Sequence, residues 1–293
     1  MLDALRLVPA GALLTLSCAA CSTSSSAAPP PRDAGAADAR TGTAAVGGDS
    51  GGAAGSGGWY RPAVGSSWHI QYAGELDTTV DAVNYDIDLF DTPQATIDAL
   101  HAQGRKVICY FDTAYEEWRP DAKKLAPYRG NPLDDWPGQA WVDIREPAVF
   151  EVMLERLELA KQKQCDAVDP DDVDARENNP GFPLTAEDQQ GFIKRIADAA
   201  HARGMGVGLK NDLKDIGVLL EHVDFQVNEQ CFEYDECGKL TPFIRAGKPV
   251  FNVEYSDDNL ADLGASVCPK ALAFKFSTVI KRLDLSAAQF VCR

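Results

Sequence analysis

Short apolar runs alternate with helical patterns along most of the chain between residues 59 and 293. The apolar runs have the length of buried strands, and the segments between them repeat apolar residues at helical spacing. This alternation is typical of βα units around a parallel sheet. Eight strands are predicted, over residues 67–72, 82–89, 106–111, 167–169, 206–210, 225–228, 250–254 and 271–276. The count predicts a single α/β domain folded as a (β/α)8 barrel, or TIM barrel.

Helices are predicted over residues 92–103, 147–164 and 185–203. Gly104 and Gly204 follow two of them, as expected for the residue just past a helix end. Thr185 and Asp188 match a capping box with Asp in place of Glu. The stretch between residues 111 and 147 is longer than an ordinary βα loop and holds three of the five tryptophans, Trp118, Trp136 and Trp141. Aromatic and charged residues on such a loop suit sugar binding, and a structural hairpin with buried tryptophans is the alternative.

The N-terminal part of the chain has a different character. Residues 1–21 contain an apolar run and small residues before Cys21, which predicts a signal peptide of the bacterial lipoprotein type with Cys21 lipidated, or less favourably Cys18. Residues 22–58 are rich in Ser, Ala, Gly and Pro and predict a flexible, disordered tether. The protein is therefore expected to be exported, held at the cell surface by its lipid or secreted, with residues 59–293 as its one folded domain.

The formal net charge is −16, and residues 1–58 contribute little of it because their four acids face three bases. Such a field disfavours nucleic acid and anionic membranes and attracts cationic partners, although an exported acidic protein also gains solubility from it. We expect a monomer whose contact with a membrane is limited to the lipid anchor.

Eight cysteines in an exported chain predict disulfides. Cys231 and Cys237 are close enough to close one loop, and Cys268 and Cys292 are placed to join the last strand to the C-terminus. Cys109 and Cys165 lie at predicted strands, where pairing and simple burial both remain open.

The most acidic stretch follows the fourth predicted strand, where five of the nine residues 166–174 are aspartates. Carboxylates at the carboxyl end of a barrel strand are candidates for an active site, because loops at that face carry the chemistry. A solvated acidic loop and a calcium site are the alternatives. A calcium loop of the EF-hand type fails, because a loop that begins at Asp169 has Val173, Asp174 and Pro180 at positions 5, 6 and 12.

A second carboxylate, Glu229, arrives with Asn228 at the end of the sixth predicted strand. Asp171 and Glu229 would then project over the same barrel mouth. Two carboxyl groups from separate strands are what glycoside hydrolysis needs, one to attack the anomeric carbon and one to protonate the leaving oxygen. The four histidines have no ligand-spaced partners, and Gly204 to Gly208 opens a strand rather than a helix, so neither a metal nor a cofactor is expected.

Seven separated segments, in this order, resemble those of glycoside hydrolase family 114. They are Val83-Asn-Tyr-Asp-Ile-Asp-Leu-Phe90, Val107-Ile-Cys-Tyr110, Trp141-Val-Asp-Ile-Arg145, Asp169-Pro-Asp-Asp-Val-Asp174, Gly208-Leu-Lys-Asn211, Val227-Asn-Glu-Gln-Cys231 and Val253-Glu-Tyr255. The resemblance implies a (β/α)8 endo-α-1,4-polygalactosaminidase or a relative, with its nucleophile after strand 4 and its acid/base after strand 6. By motif these are Asp171 and Glu229, with Asp169 as the alternative nucleophile. Asp172 departs from the Asn that the family usually shows.

Further residues of these segments are expected to contact substrate. They are Asp86, Asp88, Tyr110, Trp141, Asp143, Arg145, Asp169, Asp174, Lys210, Asn211, Asn228, Glu254 and Tyr255. Lys210 could hold Asp171 ionised or form a plain interior ion pair, and Asp86 and Asp88 share one face of their strand, so either could instead form a salt bridge inside the barrel. Tyr110 and Trp141 could simply pack, and Glu254 could cap a loop.

The expected function is retaining endo-hydrolysis of α-1,4 links in galactosamine-containing polysaccharide, cationic or neutral. Hydrolysis of another α-galactoside is the enzymatic alternative, and a non-catalytic carbohydrate-binding lipoprotein is the other.

Overall fold

The computed structural model describes residues 58–134 and 136–293. The predicted signal peptide, Cys21 and all of the predicted tether except Gly58 lie outside the described residues. The strands are β1 (Trp68–Gln71), β2 (Asn84–Asp88), β3 (Lys106–Asp112), β4 (Tyr115–Glu116), β5 (Arg129–Pro132), β6 (Gln139–Val142), β7 (Ala167–Asp171), β8 (Gly206–Lys210), β9 (Phe225–Glu229), β10 (Val250–Tyr255), β11 (Ser277–Lys281) and β12 (Gln289–Val291). The helices are α1 (Gln94–Ala102), α2 (Ala122–Leu125), α3 (Pro147–Gln162), α4 (Ala186–Ala202), α5 (Ile216–Leu219), α6 (Thr241–Arg245) and α7 (Leu260–Phe274).

Eight strands form one curled parallel sheet in the order β1-β2-β3-β7-β8-β9-β10-β11, and β12 adds to β11 in antiparallel direction. Side chains connect the two ends of the sheet, since a ring nitrogen of His69 lies 2.8 Å from Gln289 Oε1 and Ser277 Oγ donates to the Ser66 carbonyl at 2.8 Å. The predicted (β/α)8-type barrel is confirmed. Because all eight strands run the same way, their carboxyl ends meet at one face.

Seven predicted strands occur in place, but the eighth prediction is wrong. Residues 271–274 are the last turn of α7, and the strand follows at Ser277–Lys281. A short apolar run has no periodicity that separates a buried strand from a helix end, and Pro269, which suggests a break, lies inside the helix. The helix stops at Lys275, whose φ of 63° is left-handed. The described residues between β1 and β2 also contain no helix, so one βα unit is reduced to a loop.

The predicted helix signals are confirmed at α1 and α4. Thr185 accepts from the Asp188 backbone while the Asp188 side chain accepts from the Thr185 backbone, which is the expected capping box. Gly104 and Gly204 both have positive φ just past their helices.

Three disulfides connect the six cysteines of the domain: Cys109–Cys165, Cys231–Cys237 and Cys268–Cys292. The open question about Cys109 and Cys165 is thereby resolved in favour of pairing. Cys268 lies in α7, so its disulfide holds the C-terminal residues to the last helix rather than to a strand as expected. Disulfides are typical of exported proteins, which agrees with the predicted export.

The barrel has two apolar layers. One cluster fills its interior and includes Trp68, Ile108, Phe225 and Phe251, while a larger one lies between the sheet and the surrounding helices. The long insertion between β3 and α3 forms a separate three-stranded sheet in the order β4-β6-β5 at the catalytic face. No described helix has the length and apolar character that a membrane span requires.

Candidate active site

A cleft of about 350 Å³ opens at the carboxyl ends of the barrel strands. One wall comes from β7, β8, β9 and β10, and the other from the insertion and the segment after β11. Its lining includes aromatic, acidic and basic side chains: Tyr72, Asp88, Tyr110, Asp112, Trp118, Arg119, Trp136, Asp171, Asp172, Asp174, Lys210, Asn211, Glu229 and Tyr255.

Two cavities adjoin this cleft and extend it on both sides. The first, of about 540 Å³, shares Tyr72, Asp88 and Asp91 with the cleft. The second, of about 460 Å³, shares Asp174, Asn211 and Glu229 with it. The three adjoining spaces are together called the groove.

Lys210 is the centre of the site. It ends β8, is almost fully buried, and its Nζ donates to Asp171 Oδ2 at 2.6 Å and lies 3.5 Å from Glu229 Oε2. Burial lowers the pKa of Lys210, but the charges of Asp171 and Glu229 outweigh burial and leave that pKa well above its usual value. Lys210 is therefore a permanent cation between the two candidate catalytic carboxylates.

The barrel places these groups by simple strand geometry. Asp171, Lys210, Glu229 and Tyr255 are the last residues of β7, β8, β9 and β10, which are successive neighbours in the sheet. The pairing steps by two residues from β8 to β9 and from β9 to β10, since Lys210 pairs with Val227 and Glu229 with Val253. A step of two keeps these side chains on the same face of the sheet, so they point toward one barrel mouth. The regular βα alternation is thus sufficient to assemble the site.

Glu229 is surrounded by donors. The Tyr255 hydroxyl donates to its Oε1, and Asn211 Nδ2 donates to its Oε2 at 3.0 Å. Burial raises the pKa of Glu229, but the charge of Lys210 and these two hydrogen bonds outweigh burial and leave the pKa below its ordinary value. In the free protein at neutral pH Glu229 is therefore a carboxylate.

A second acidic layer lies one step deeper in the barrel. Asp169 is two residues before Asp171 on the same strand, so it faces the same way but is fully buried. The Tyr72 hydroxyl lies 3.2 Å from Asp86 Oδ1 and 3.4 Å from Asp169 Oδ2, and its single proton serves the two. Among the described residues, the other oxygen of each carboxyl has no hydrogen-bond partner.

The deeper carboxyls titrate unlike ordinary aspartates. Burial, with the charges of Asp171 and Glu229 added to it, raises the pKa of Asp169 to about 7 although Lys210 opposes the rise. Burial and the charge of Asp169 raise the pKa of Asp86 well above its usual value. This layer therefore holds protons at pH values where the upper layer has lost them.

Three further aspartates line the β3 and β7 side of the cleft. Burial and the charge of Asp112 raise the pKa of Asp172 well above its usual value, and a hydrogen bond between their side chains keeps the proton on Asp172. Burial and Asp171 raise the pKa of Asp174 to about 6. Asp172 thus presents a protonated, uncharged side chain at the position where the family usually has Asn.

The insertion is held to the barrel by a buried ion cluster. Arg119 donates to Asp88 Oδ2 at 2.6 Å and to Glu116 Oε2 at 2.8 Å. Asp88 therefore forms the salt bridge that was the alternative to substrate contact, while it also lines the cleft. The cluster fixes the position of Trp118, which is 53% exposed, and of the strand pair that carries Trp136, which is 48% exposed.

The structure brings most of the predicted site residues together. Asp86 and Asp169 lie beneath the cleft, and the predicted residues that line it are Asp88, Tyr110, Asp171, Asp174, Lys210, Asn211, Glu229 and Tyr255. The remaining predictions, Trp141, Asp143, Arg145, Asn228 and Glu254, lie outside its lining.

Each of these outlying residues has a visible structural environment. Trp141 is buried in a small cluster with Leu133, and Arg145 pairs with Asp143 at 2.7 Å. Glu254 accepts from the Phe232 backbone at 3.1 Å, which is the loop-capping alternative. Asn228 lines the second adjoining cavity.

Several residues of the cleft were not among the predicted contacts. Tyr72 arrives from the loop after β1, and Asp112 ends β3. Trp118 and Trp136 were predicted only as parts of an aromatic insertion. The high tryptophan content of that insertion was the one sequence feature that indicated them. Among the described residues, no group of three His, Cys, Asp or Glu side chains is arranged to hold a metal ion.

The fold and the paired carboxylates at the ends of the fourth and sixth parallel strands define a barrel of the glycoside hydrolase class. The family model "Glycoside-hydrolase family GH114" matches residues 50–293, and the chain belongs to this family. No curated protein matches the sequence.

Two solved structures show how far the likeness extends. The crystal structure of Aspergillus fumigatus Ega3 in complex with galactosamine is 43% identical, with a TM-score of 0.76 over 80% of this chain and 97% of that one. The glycoside hydrolase domain of PelA from Pseudomonas aeruginosa has a TM-score of 0.65 over 77% of this chain and 98% of that one. PelA is only 12% identical, so its likeness concerns the fold alone.

Proposed function

We propose that this protein is an exported, retaining endo-glycosidase that cleaves α-1,4 links in galactosamine-containing polysaccharide. Asp171 is the nucleophile and Glu229 the acid/base. The observation that carries the proposal is the pairing of both carboxylates with the one buried cation, Lys210. The relative Ega3, 43% identical, was crystallised with galactosamine, which supports the sugar.

The separation of the carboxyl groups supports retention. Their nearest oxygens lie 2.6 and 3.5 Å from the same nitrogen of Lys210, so they are no more than about 6 Å apart. Retaining enzymes hold these groups about 5–5.5 Å apart, whereas inverting enzymes leave about 6.5–9.5 Å for a water molecule. Of the two aspartates at the end of β7, Asp171 is partly exposed and Asp169 is fully buried. Asp171 is therefore the one that can reach an anomeric carbon.

The proposed reaction has two halves. Asp171 Oδ attacks the anomeric carbon as the bond to the leaving oxygen breaks, and Glu229 gives its proton to that oxygen. Glu229, now a carboxylate, takes a proton from water, and the resulting oxygen nucleophile breaks the glycosyl ester and restores Asp171. Lys210 holds Asp171 in place for the first half through their contact of 2.6 Å. Since the pKa of free Glu229 is low, the first half requires acidic conditions, and we expect activity to be greatest below pH 7.

The surroundings of the catalytic pair suit a cationic sugar polymer. The cleft and its neighbouring cavities carry many more carboxyls than cations, and Trp118 and Trp136 offer exposed ring faces. Ring faces stack on sugar C–H groups while carboxylates attract the ammonium groups of deacetylated galactosamine. The groove is open on both sides of Glu229, as internal cleavage of a polymer requires.

The proposal is tested by reducing-end release from partly deacetylated α-1,4-galactosaminogalactan between pH 4 and 8. We expect release by the parent, a loss of at least about a thousandfold in Glu229→Gln and Asp171→Asn, and no change in Glu151→Gln on the outer helix α3. Nuclear magnetic resonance of the first product should show the α anomer.

Different failures have different meanings. A first product in the β form would overturn retention. Salt screens the attraction of a cationic polymer, so its hydrolysis should slow at high salt. If the protein instead cleaved only neutral α-galactosides, at a rate that salt did not lower, a neutral α-galactoside would be its substrate. Polymer binding without hydrolysis by the parent would leave a carbohydrate-binding protein.

A further inference from the structure

The loop after Glu229 carries the most exposed aromatic side chain of the described residues. Tyr234 is 62% exposed and lines the second adjoining cavity, on the far side of Glu229 from the cleft. One exposed apolar side chain is ordinary, whereas several that gather along one groove mark a binding surface. Of the six in the described residues, four line the groove, and Tyr234 is the one in this cavity.

The loop is too well anchored to be a flexible tail of β9. The Cys231–Cys237 disulfide closes it, and inside it the Tyr234 amide donates to the Gln230 carbonyl at 3.1 Å. The Phe232 amide donates at 3.1 Å to Glu254, whose buried carboxylate also accepts from Asn252 at 3.1 Å. A ring held on such a loop can stack on a ligand with little loss of conformational entropy.

The cavity beside Tyr234 has the composition of a site for an amino sugar. Asp174, Glu177, Asp212 and Glu236 line it against Lys214 and Lys239. Both lysines already pair with carboxylates of the same cavity, Lys214 with Glu177 and Lys239 with Glu236. Asp174 and Asp212 remain, and because burial raises their pKa values to about 6 and about 7, they attract an ammonium group most strongly near neutral pH.

The position of Glu229 indicates which sugar of the polymer this cavity would hold. Glu229 lines both the cleft and the cavity, whereas Asp171 lines the cleft alone. A sugar attacked by Asp171 occupies the cleft, and the sugar whose oxygen takes the proton of Glu229 lies beyond it. That next sugar occupies the cavity of Tyr234.

We propose that the loop closed by Cys231 and Cys237 forms a subsite for the leaving-group side of the chain, in which Tyr234 stacks on a galactosamine ring. The inference rests on the proposed function of Glu229. The ring provides the apolar contact and the surrounding carboxylates attract the ammonium group, so the subsite favours deacetylated sugar.

The test uses an α-1,4-galactosamine oligomer labelled at its reducing end, with products sized by mass spectrometry. In Tyr234→Ala we expect kcat/KM to fall about tenfold with the lengths of the labelled products unchanged, because every cleavage places a sugar beside Tyr234. Tyr234→Phe keeps the ring and should cleave like the parent. Val218→Ala, which removes an exposed side chain outside the groove, is the matched control.

An unchanged kcat/KM in Tyr234→Ala would overturn the subsite while leaving the proposed function intact. Affinity provides a readout that does not need turnover. In an Asp171→Asn background, calorimetry should show oligomer binding weakened about tenfold by Tyr234→Ala but not by Tyr234→Phe. If the parent cleaved no galactosamine oligomer, the proposed function would fail, and equal affinities with and without the Tyr234 ring would reject the subsite as well.

Discussion

The two acidic layers of the barrel contain the same chemical groups but hold their protons at different pH values. In the upper layer, Lys210 lies between Asp171 and Glu229 and leaves the pKa of Glu229 below its ordinary value. In the lower layer, Asp86 and Asp169 share one tyrosine hydroxyl, and burial raises the pKa of both. The charge of Asp169 raises the pKa of Asp86 further, and no lysine lies within salt-bridge distance of either among the described residues. One lysine at one strand end thus gives Glu229 a lowered pKa while the deeper carboxyls keep raised ones.

Removal of that cation should have the largest effect. In Lys210→Met the upper layer becomes as uncompensated as the lower one, so the pKa of Glu229 should rise. We expect kcat/KM to fall about a thousandfold near pH 5, because Asp171 loses the cation that holds it in place. Polymer hydrolysis across pH 4–8 measures this, with Lys270→Met on the outer helix α7 as control. Activity within threefold of the parent would show that Lys210 is only an interior ion pair.

A smaller change should sharpen the assignment of Glu229. The Tyr255 hydroxyl lowers the pKa of Glu229, so Tyr255→Phe should raise that pKa and move the alkaline limb of kcat/KM to higher pH. The maximal rate should fall about fivefold, because Glu229 loses a positioning hydrogen bond. The pH profile is the readout, and Tyr128→Phe, away from the cleft, is the control. If the alkaline limb of the profile did not move, Glu229 would not be the group whose ionisation causes it.

The lower layer should be visible in stability rather than in rate. The pKa of Asp169 is about 7 in the folded protein, against an ordinary value of 3.8. Its proton therefore stabilises the folded state fully below pH 3.8, and this stabilisation is lost as pH rises through about 7. Asp86→Asn removes the neighbouring carboxyl, so the free energy of unfolding should fall less between pH 5 and 8, by about 1 kcal/mol. Urea unfolding at both pH values measures this, with Asp257→Asn as the exposed control. An unchanged pH slope would contradict the raised pKa of this layer.

The smallest effect is expected at Asp172. Its proton is kept by burial and by Asp112, so Asn should replace it almost without consequence at pH 6, within about twofold in kcat/KM. As pH rises the variant should lose less activity than the parent, since it cannot gain a charge beside Asp171. A tenfold loss at pH 6 would mean that an ionised Asp172 takes part in binding or catalysis.

The sequence was sufficient for the frame of the site because strand ends are predictable. Apolar runs followed by Asp171 and Glu229 give both the strand and its carboxyl end, and the parallel barrel then brings the two together. Seven of the eight barrel strands and the capping box at Thr185 follow from equally local patterns.

Long-range packing was beyond the reach of the sequence. Trp141 lies in β6 and is buried, whereas Trp136 lies in the turn between β5 and β6 and lines the cleft. Which of the two rings is covered depends on what packs against the insertion. Tyr72 belongs to the site only because the loop after β1 folds over the barrel mouth. The helical end of residues 271–274 was missed because a four-residue apolar run carries no period.

The Cys109–Cys165 disulfide has a consequence for survival outside the cell. It spans 56 positions, and the whole three-stranded insertion lies between its two cysteines. An exported protein meets proteases, and exposed loops such as those of the insertion are where they cut first. A single cut there leaves two fragments that remain covalently joined beside β3 and β7, so a nicked molecule would migrate as one species until it is reduced.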